Sequence, residues 1–197
     1  PSPTRRPKSG ILLFSGCGLG EGYRFTSNDS LERFDIDFKG HENPSIGGLN
    51  AASTSFNFYT GHVSAEGVTA YRKIQYSEVY EFIDVDFYNT SKSLAFEFIV
   101  YPGGNYKDIV LEYNGASIIH LPNGDLDIET ATVSLIQTPP EVYHVDSLGN
   151  ITTISNTDYD VSGNDVSLDI TGPISIGPGE KLLIDAKLQI SSIQSIG

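Results

Sequence analysis

The 197-residue sequence contains no methionine and no tryptophan, a single cysteine, and only 12 lysines and arginines against 25 aspartates and glutamates. Without methionine the chain is expected to be a processed mature form or a segment of a longer protein. One cysteine excludes an intramolecular disulfide and a thiolate metal cluster. No apolar run approaches the roughly 18 residues needed to cross a bilayer as a helix, and the cluster Ile11 to Phe14 is too short for a signal-peptide core. No window sustains a 3.6-residue period, which excludes a long amphipathic helix. The formal charge of −13 disfavours nucleic acid and anionic lipid as partners, because like charges repel and no counterions are released. The shortage of positive charge is also uneven. Arg5, Arg6 and Lys8 make the N-terminus basic, whereas no Lys or Arg occurs between Lys107 and Lys181. A solvated acidic surface is the plain reading of that stretch, and a cation-binding or partner-docking face is the sharper one.

What the sequence does contain is alternation. Phe34, Ile36 and Phe38 interleave with Arg33, Asp35 and Asp37, and Ile83, Val85 and Phe87 with Asp84 and Asp86. Leu94, Phe96, Phe98 and Val100 repeat the pattern, as do Ile109-Leu111-Tyr113, Leu126-Ile128, Val133-Leu135 and Val166-Leu168-Ile170. Period two is the signature of strands with one buried face. Turn residues punctuate the runs: Asn114-Gly115 and Asn123-Gly124 read as tight type I′ hairpins, and Gly149-Asn150, Gly163-Asn164 and Gly177-Pro178-Gly179 mark later turns. The expected fold is therefore all-β, an antiparallel sandwich or a pair of stacked β-lobes over residues 11 to 190. Residues 1 to 10 read as a flexible basic, proline-rich tail and 191 to 197 as a C-terminal tail. Residues 41 to 54 read as a long loop, and an internal seam is placed at 89 to 93.

A set of landmarks also carries a family resemblance. Asn57-Phe58-Tyr59-Thr60-Gly61, the stretch Tyr71-Arg72-Lys73-Ile74-Gln75-Tyr76-Ser77-Glu78-Val79-Tyr80, and Ile83-Asp84-Val85-Asp86-Phe87-Tyr88 come first. Leu94 to Phe98, Pro102-Gly103-Gly104-Asn105, Asn123-Gly124-Asp125-Leu126, Pro140 with Tyr143, and Leu183-Ile184-Asp185-Ala186-Lys187-Leu188 continue in order. Together, from about Leu12 onward, they resemble an uncharacterised bacterial surface-protein domain that precedes seven-bladed β-propeller-type repeats in secreted proteins of Bacteroidota. The chain departs from that pattern at Glu81-Phe82, where the family has Pro-Gly, and it lacks the family's Trp after the first landmark. The basic tail stands where the family has its opening strand. The resemblance implies a surface or secreted setting and supplies no activity.

Candidate chemistry is sparse. The glycines at 16, 18, 20 and 22 do not form a Gly-x-Gly-x-x-Gly loop, and no helix follows to receive a phosphate. Cys17, between Gly16 and Gly18, reads as a small residue at a turn. His144 and Asp146 stand two apart on an expected strand, which would put both on one face as a metal pair or a base with its orienting carboxylate. They are read as surface polar residues. Acidic pairs recur at Asp35/Asp37, Asp84/Asp86, Asp125/Asp127 and Asp158/Asp160. Calcium takes six to eight oxygens from a loop folded around it, so a Ca²⁺ site between loops is the only cofactor these pairs leave open. No catalytic, cofactor or metal residue is assigned.

Asn28, Asn89 and Asn150 open N-glycosylation sequons, and Ser30 and Ser147 lie in segments resembling the O-glycosylation signal of Bacteroidota. Tyr71, Tyr76, Tyr80 and Tyr113 read as packing residues, although tyrosine faces can stack on sugars. The leading expectation is a non-catalytic extracellular structural module of a surface layer, filament or fibre. Its partner would be a copy of itself or another surface protein, joined by strand complementation and by the tail residues Arg5, Arg6 and Lys8. A monomeric adhesion or carbohydrate-binding module is the alternative, and an enzyme using His144 and Asp146 is the outsider.

Overall fold

The alternating runs become strands in the computed structural model, which describes residues 11–15, 20–27, 30–60, 63–90, 93–131 and 133–193. In chain order the strands are β1 (Ile11–Ser15), β2 (Gly20–Ser27), β3 (Ser30–Phe38), β4 (Ser45–Thr60), β5 (Val63–Tyr80), β6 (Ile83–Asn89), β7 (Leu94–Val100) and β8 (Val110–Asn114). They are followed by β9 (Ser117–His120), β10 (Leu126–Glu129), β11 (Val133–Gln137), β12 (Glu141–Val145), β13 (Ile151–Ile154), β14 (Thr157–Ser162), β15 (Asp165–Ile170) and β16 (Lys181–Ile193). Among the described residues the one helical element is a 3₁₀ turn at Tyr106–Asp108, which the Asn105 side chain caps by accepting from the Lys107 amide.

The pairings are antiparallel and build two sheets. One runs β1-β2-β3-β8-β15-β14, and the other β4-β5-β6-β7-β16-β11-β10-β9, with β12 also on β16 and β13 on β12. The inner faces of the two sheets share one core, so the fold is the expected antiparallel sandwich. Phe34, Ile36, Phe38, Leu111, Tyr113 and Val166 come from the smaller sheet and are all buried. Opposite them lie Val85, Phe87, Phe96, Phe98, Ile184 and Ala186 of the larger one. Phe38 bridges the layers, its ring 5.8 Å from that of Phe98 in an edge-on arrangement and 6.0 Å from that of Phe87. Such aromatic pairs contribute beyond their buried area. The Tyr80 hydroxyl joins the layers by a second route, donating to the Val110 carbonyl at 3.1 Å and accepting from its amide at 3.3 Å.

Four sequence expectations are corrected. Residues 41–54 are not all loop, because β4 starts at Ser45. Its Gly47-Gly48 and its run of small polar residues carry no alternation, and the strand is defined by its pairing to β5. Asn114-Gly115 is not a hairpin, since β8 and β9 belong to different sheets and this turn carries the chain between them. Asn123-Gly124 does close the β9–β10 hairpin, but only Gly124 has positive φ, so the turn is not type I′. Finally, 191–193 are not tail but the end of β16, where Ile193 pairs with Val133. The segment 89–93 joins β6 to β7 as a hairpin within one sheet, tied by Thr90 and Ser93. Residues 1–10, including Arg5, Arg6 and Lys8, lie outside the described residues, as does Cys17.

Among the described residues, one buried polar side chain has an unsatisfied atom. Gln137 is fully buried, accepts from the Tyr113 hydroxyl through Oε1 at 2.5 Å, and stands near the Tyr159 hydroxyl without a well-formed hydrogen bond from its Nε2. Removing one partner of a buried pair costs about 1–3 kcal/mol, whereas replacing both by apolar groups can be neutral. Gln137→Leu is therefore expected to lower stability, and Tyr113→Phe/Gln137→Leu to recover most of the loss. Urea unfolding of the three proteins measures this directly.

Candidate functional site

The outer face of the larger sheet concentrates charge. Antiparallel register aligns Gln75, Asp86, Glu97, Asp185 and Glu141 on five adjacent strands. Neighbouring strands lie about 4.8 Å apart, so four carboxylates stand side by side in one transverse row. Like charges directly opposite one another destabilise a sheet, and the next row supplies the counter-charges. There Lys73 pairs with Tyr88, Tyr88 with Ala95, and Ala95 with Lys187.

The lysines reach across. Lys73 Nζ lies 3.2 Å from Asp86 and 3.7 Å from Glu97, and it stands 4.8 Å over the Tyr88 ring. Lys187 Nζ lies 2.6 Å from Glu141 and 3.4 Å from Asp185, and the hydrogen bond to Glu141, then the charges of both carboxylates, hold its pKa above the usual lysine value against the opposing effect of burial. Gln75 donates to Asp86 at 2.9 Å, and the Tyr88 hydroxyl to Asp185 at 3.1 Å. Burial is the main reason that the Tyr88 hydroxyl is pushed well above the ordinary tyrosine range. Burial likewise raises Glu97 above the usual carboxylate value, with Asp185 and Asp86 adding to the rise and Lys73 opposing it. The network joins two lysines, four carboxylates, the Gln75 amide and the Tyr88 hydroxyl. What it does is pin five strands in register while leaving the row net negative.

At least one member of each of the other acidic pairs is engaged by local structure. Asp84 accepts from the Glu78 amide at 2.8 Å, holding the β5 bulge where Glu78 takes φ +59°, and from the Tyr101 hydroxyl at 3.2 Å. Asp37 accepts from Asn114, Asp125 from Asn123, and Asp127 from Ser134. Asp158 lies 2.9 Å from His120 Nε2. His144 and Asp146 go separate ways. His144 Nε2 meets Glu180 at 3.1 Å, while Asp146 lies past the end of β12 and accepts from the amides of Leu148 and Asn150 and the side chain of Asn150. Those hydrogen bonds, the Asn150 side chain foremost, hold the Asp146 carboxyl below its ordinary value. Among the described residues, no group of three His, Cys, Asp or Glu side chains is placed to hold a metal ion.

Asn89, Ser147 and Asn150 are exposed, although the Asn150 amide nitrogen is engaged by Asp146. Ser30 opens β3, and Asn28 lies outside the described residues.

The second feature is a ribbon that the sequence reading treated in part as loop. β5 pairs with β6 only from Lys73 to Tyr80, so from Val63 to Arg72 its sole partner is β4. Ten residues of strand reach about 33 Å. No described residue from Ser45 to Gln75 is buried. Ile46, Phe56, Tyr59 and Tyr71 are each at least half exposed. Tyr71 thus departs from its expected packing role, which Tyr76, Tyr80 and Tyr113 do fill. The Tyr71 ring lies over Gly48, so close that a Cβ at that position would collide with it. Alternation could not reveal this ribbon, because a strand exposed on both faces needs no apolar side. Its legible signal was the unbroken absence of charge and proline from Ser45 to Thr60.

An antiparallel two-sheet module with a register-locking charged face and a long exposed ribbon is the class these observations define. The chain belongs to the family described as Domain of unknown function (DUF7948), whose model matches residues 21–185. Comparison with curated proteins finds no match, and comparison with solved structures finds none. No helix among the described residues is long and apolar enough to cross a membrane.

The row of carboxylates yields a pH test. A carboxyl with a raised folded pKa favours its protonated form in the fold. Its favourable contribution is complete below the unfolded value and is lost as pH rises through the folded one. Glu97→Gln is expected to raise the melting temperature at pH 7 and to leave it little changed at pH 4. For a chain this size, each kcal/mol gained appears as about 2–4 °C. Calorimetry at the two pH values checks both parts.

Proposed function

We propose that this chain is a non-catalytic structural module that joins a surface layer, filament or fibre through its exposed ribbon. The observation carrying this reading is the unsupported β4–β5 extension. A two-stranded ribbon in water is marginal by itself, and independent stability asks for a third strand or a packed face. Ordering about twenty residues into such a ribbon opposes folding entropically, which favours a role in which a partner supplies the missing contacts. Large apolar side chains exposed together on one extension mark an interaction site. The acidic stretch without lysine or arginine, from residue 108 to 180, offers a second docking face, suited to the basic Arg5, Arg6 and Lys8 of a neighbour. An extracellular setting follows from the surface-protein resemblance.

One observation favours carbohydrate binding as a second reading. Tyr59 and Tyr71 are 65% and 50% exposed on the ribbon, and such ring faces can stack on sugars.

Light scattering across concentration tests the first reading on three proteins: the intact chain, one lacking residues 1–10, and one whose residues 50–71 are replaced by a short turn. The intact chain should exceed the mass of one copy and grow with concentration, and trimming the ribbon should return it to a monomer with the core still folded. Loss of the N-terminal residues should weaken association, more so at low salt. A monomer at every concentration would reject self-assembly, and retention on immobilised glycans would then favour the carbohydrate reading.

A further inference from the structure

Among the described residues β4 is the terminal strand of the larger sheet, and its one hydrogen-bonded neighbour there is β5. Terminal strands expose a row of unpaired N–H and C=O groups, and proteins ordinarily blunt them with lysine, proline, brevity or bulges. β4 has register shifts against β5 but none of the other three devices. It runs 16 residues, SIGGLNAASTSFNFYT, without a charged side chain or a proline. This is unusual in a chain of 12 basic and 25 acidic residues. The charges of the ribbon sit one strand back, at Glu66, Arg72 and Lys73 of β5.

Resting on the assembly reading above, we infer that the β4 edge pairs antiparallel with the β4 edge of a second copy of this chain, across a two-fold axis. Three observations select this occupant. First, two chains of charge −13 repel wherever their surfaces carry that charge, and β4 is a long edge along which neither copy brings any. A charged foreign segment would gain nothing there. Second, an antiparallel edge is self-complementary: each copy offers the other the same alternating donors and acceptors, as a two-fold interface requires. Third, the pairing turns two marginal two-stranded ribbons into one four-stranded sheet, past the number of strands at which a sheet supports itself.

The irregularities of the ribbon limit the strength of the contact. The β4–β5 register shifts between Ala51 and Ser55 and again between Phe56 and Phe58, and bulges weaken edge pairing. Sixteen residues a side also fall below the roughly 20–30 of a standard interface. Association is therefore reversible and concentration-dependent.

Disulfide trapping tests the geometry. In a Cys17→Ser background, single cysteines are introduced at Ser45, Leu49, Ala51, Ser53, Ser55 and Asn57, with Ser147→Cys as a control on the exposed β12–β13 turn. Mild oxidation should give covalent dimers with one maximum along β4 and a fall on both sides, because only residues near the axis meet their own copies within disulfide reach. In parallel, Ala51→Lys and Ser53→Lys should raise the concentration for half-association at least tenfold while leaving the urea midpoint of the monomer unchanged.

If the intact chain associates but no β4 cysteine exceeds the control and the lysine variants associate normally, the β4 pairing is overturned while the assembly reading stands. If the intact chain is monomeric throughout, both fall together.

Discussion

β16 is the strand on which the larger sheet depends, because it is paired along both edges and closes contacts distant in sequence. One edge holds β7 from Leu182 to Leu188. The other holds β12 from Lys181 to Asp185 and then β11 from Leu188 to Ile193. Its inward residues Leu182, Ile184, Ala186 and Leu188 are all buried against the core. Its outward residues Asp185 and Lys187 belong one to each of the two charged rows. A single strand near the end of the described chain thus sets both the inner packing and the outer electrostatics. A one-residue slip in β16 would exchange Leu for Lys and Ala for Asp across the faces, which is why its register is strongly specified.

The same alternation explains why an acidic protein can place four carboxylates side by side. The row costs repulsion, but it lies on a face whose opposite side buries Val85, Phe98, Ile184 and Val142 in the adjacent inward register. The core fixes the strands, and the charges must accept the positions that follow. Lys73 and Lys187 then offset part of the repulsion, each spanning two carboxylates. This shared arrangement accounts for Asp86 being only 5% exposed without a dedicated pocket. Charged groups here serve strand alignment, and the row needs no bound ion to explain its composition.

How much of this was legible follows from what alternation can encode. Phe34-Ile36-Phe38 and Ile83-Val85-Phe87 announced their buried faces residue by residue, because a strand packed on one side must separate apolar from polar. The transverse row was not legible, since Asp86, Glu97, Asp185 and Glu141 are aligned by pairings such as Glu97 with Asp185, which are distant in sequence. Spacing within one strand had suggested Asp84 with Asp86, yet period two does not reveal what the neighbouring strands bring. His144 and Asp146 failed as a pair for a different reason. The strand ends at Val145, and the Asp146 carboxylate is drawn into capping its own turn. Asx side chains compete for nearby backbone amides in this way wherever a strand gives out.

The ribbon stands apart from this logic. Most other strands whose burial is described have a buried residue, the four-residue β9 and β13 being the exceptions, whereas the much longer run from Ser45 to Gln75 has no described residue buried. Intrinsic preference does not supply the difference, since Gly47, Gly48, Asn50 and the neighbouring alanines are poor strand residues. What remains is backbone pairing with β5 and a few contacts such as the Tyr71 ring over Gly48. An extension so lightly held would fray readily on the timescale of local opening. Its uncharged edge would also be a hazard for random pairing if nothing constrained which strand could join it. A long, neutral, weakly supported edge on a strongly acidic body is coherent when the charge of the body restricts approach and the edge alone admits contact. Under the proposed β4 pairing, repulsion over most of the surface would act as the specificity device, and the ribbon as the place where it is relieved.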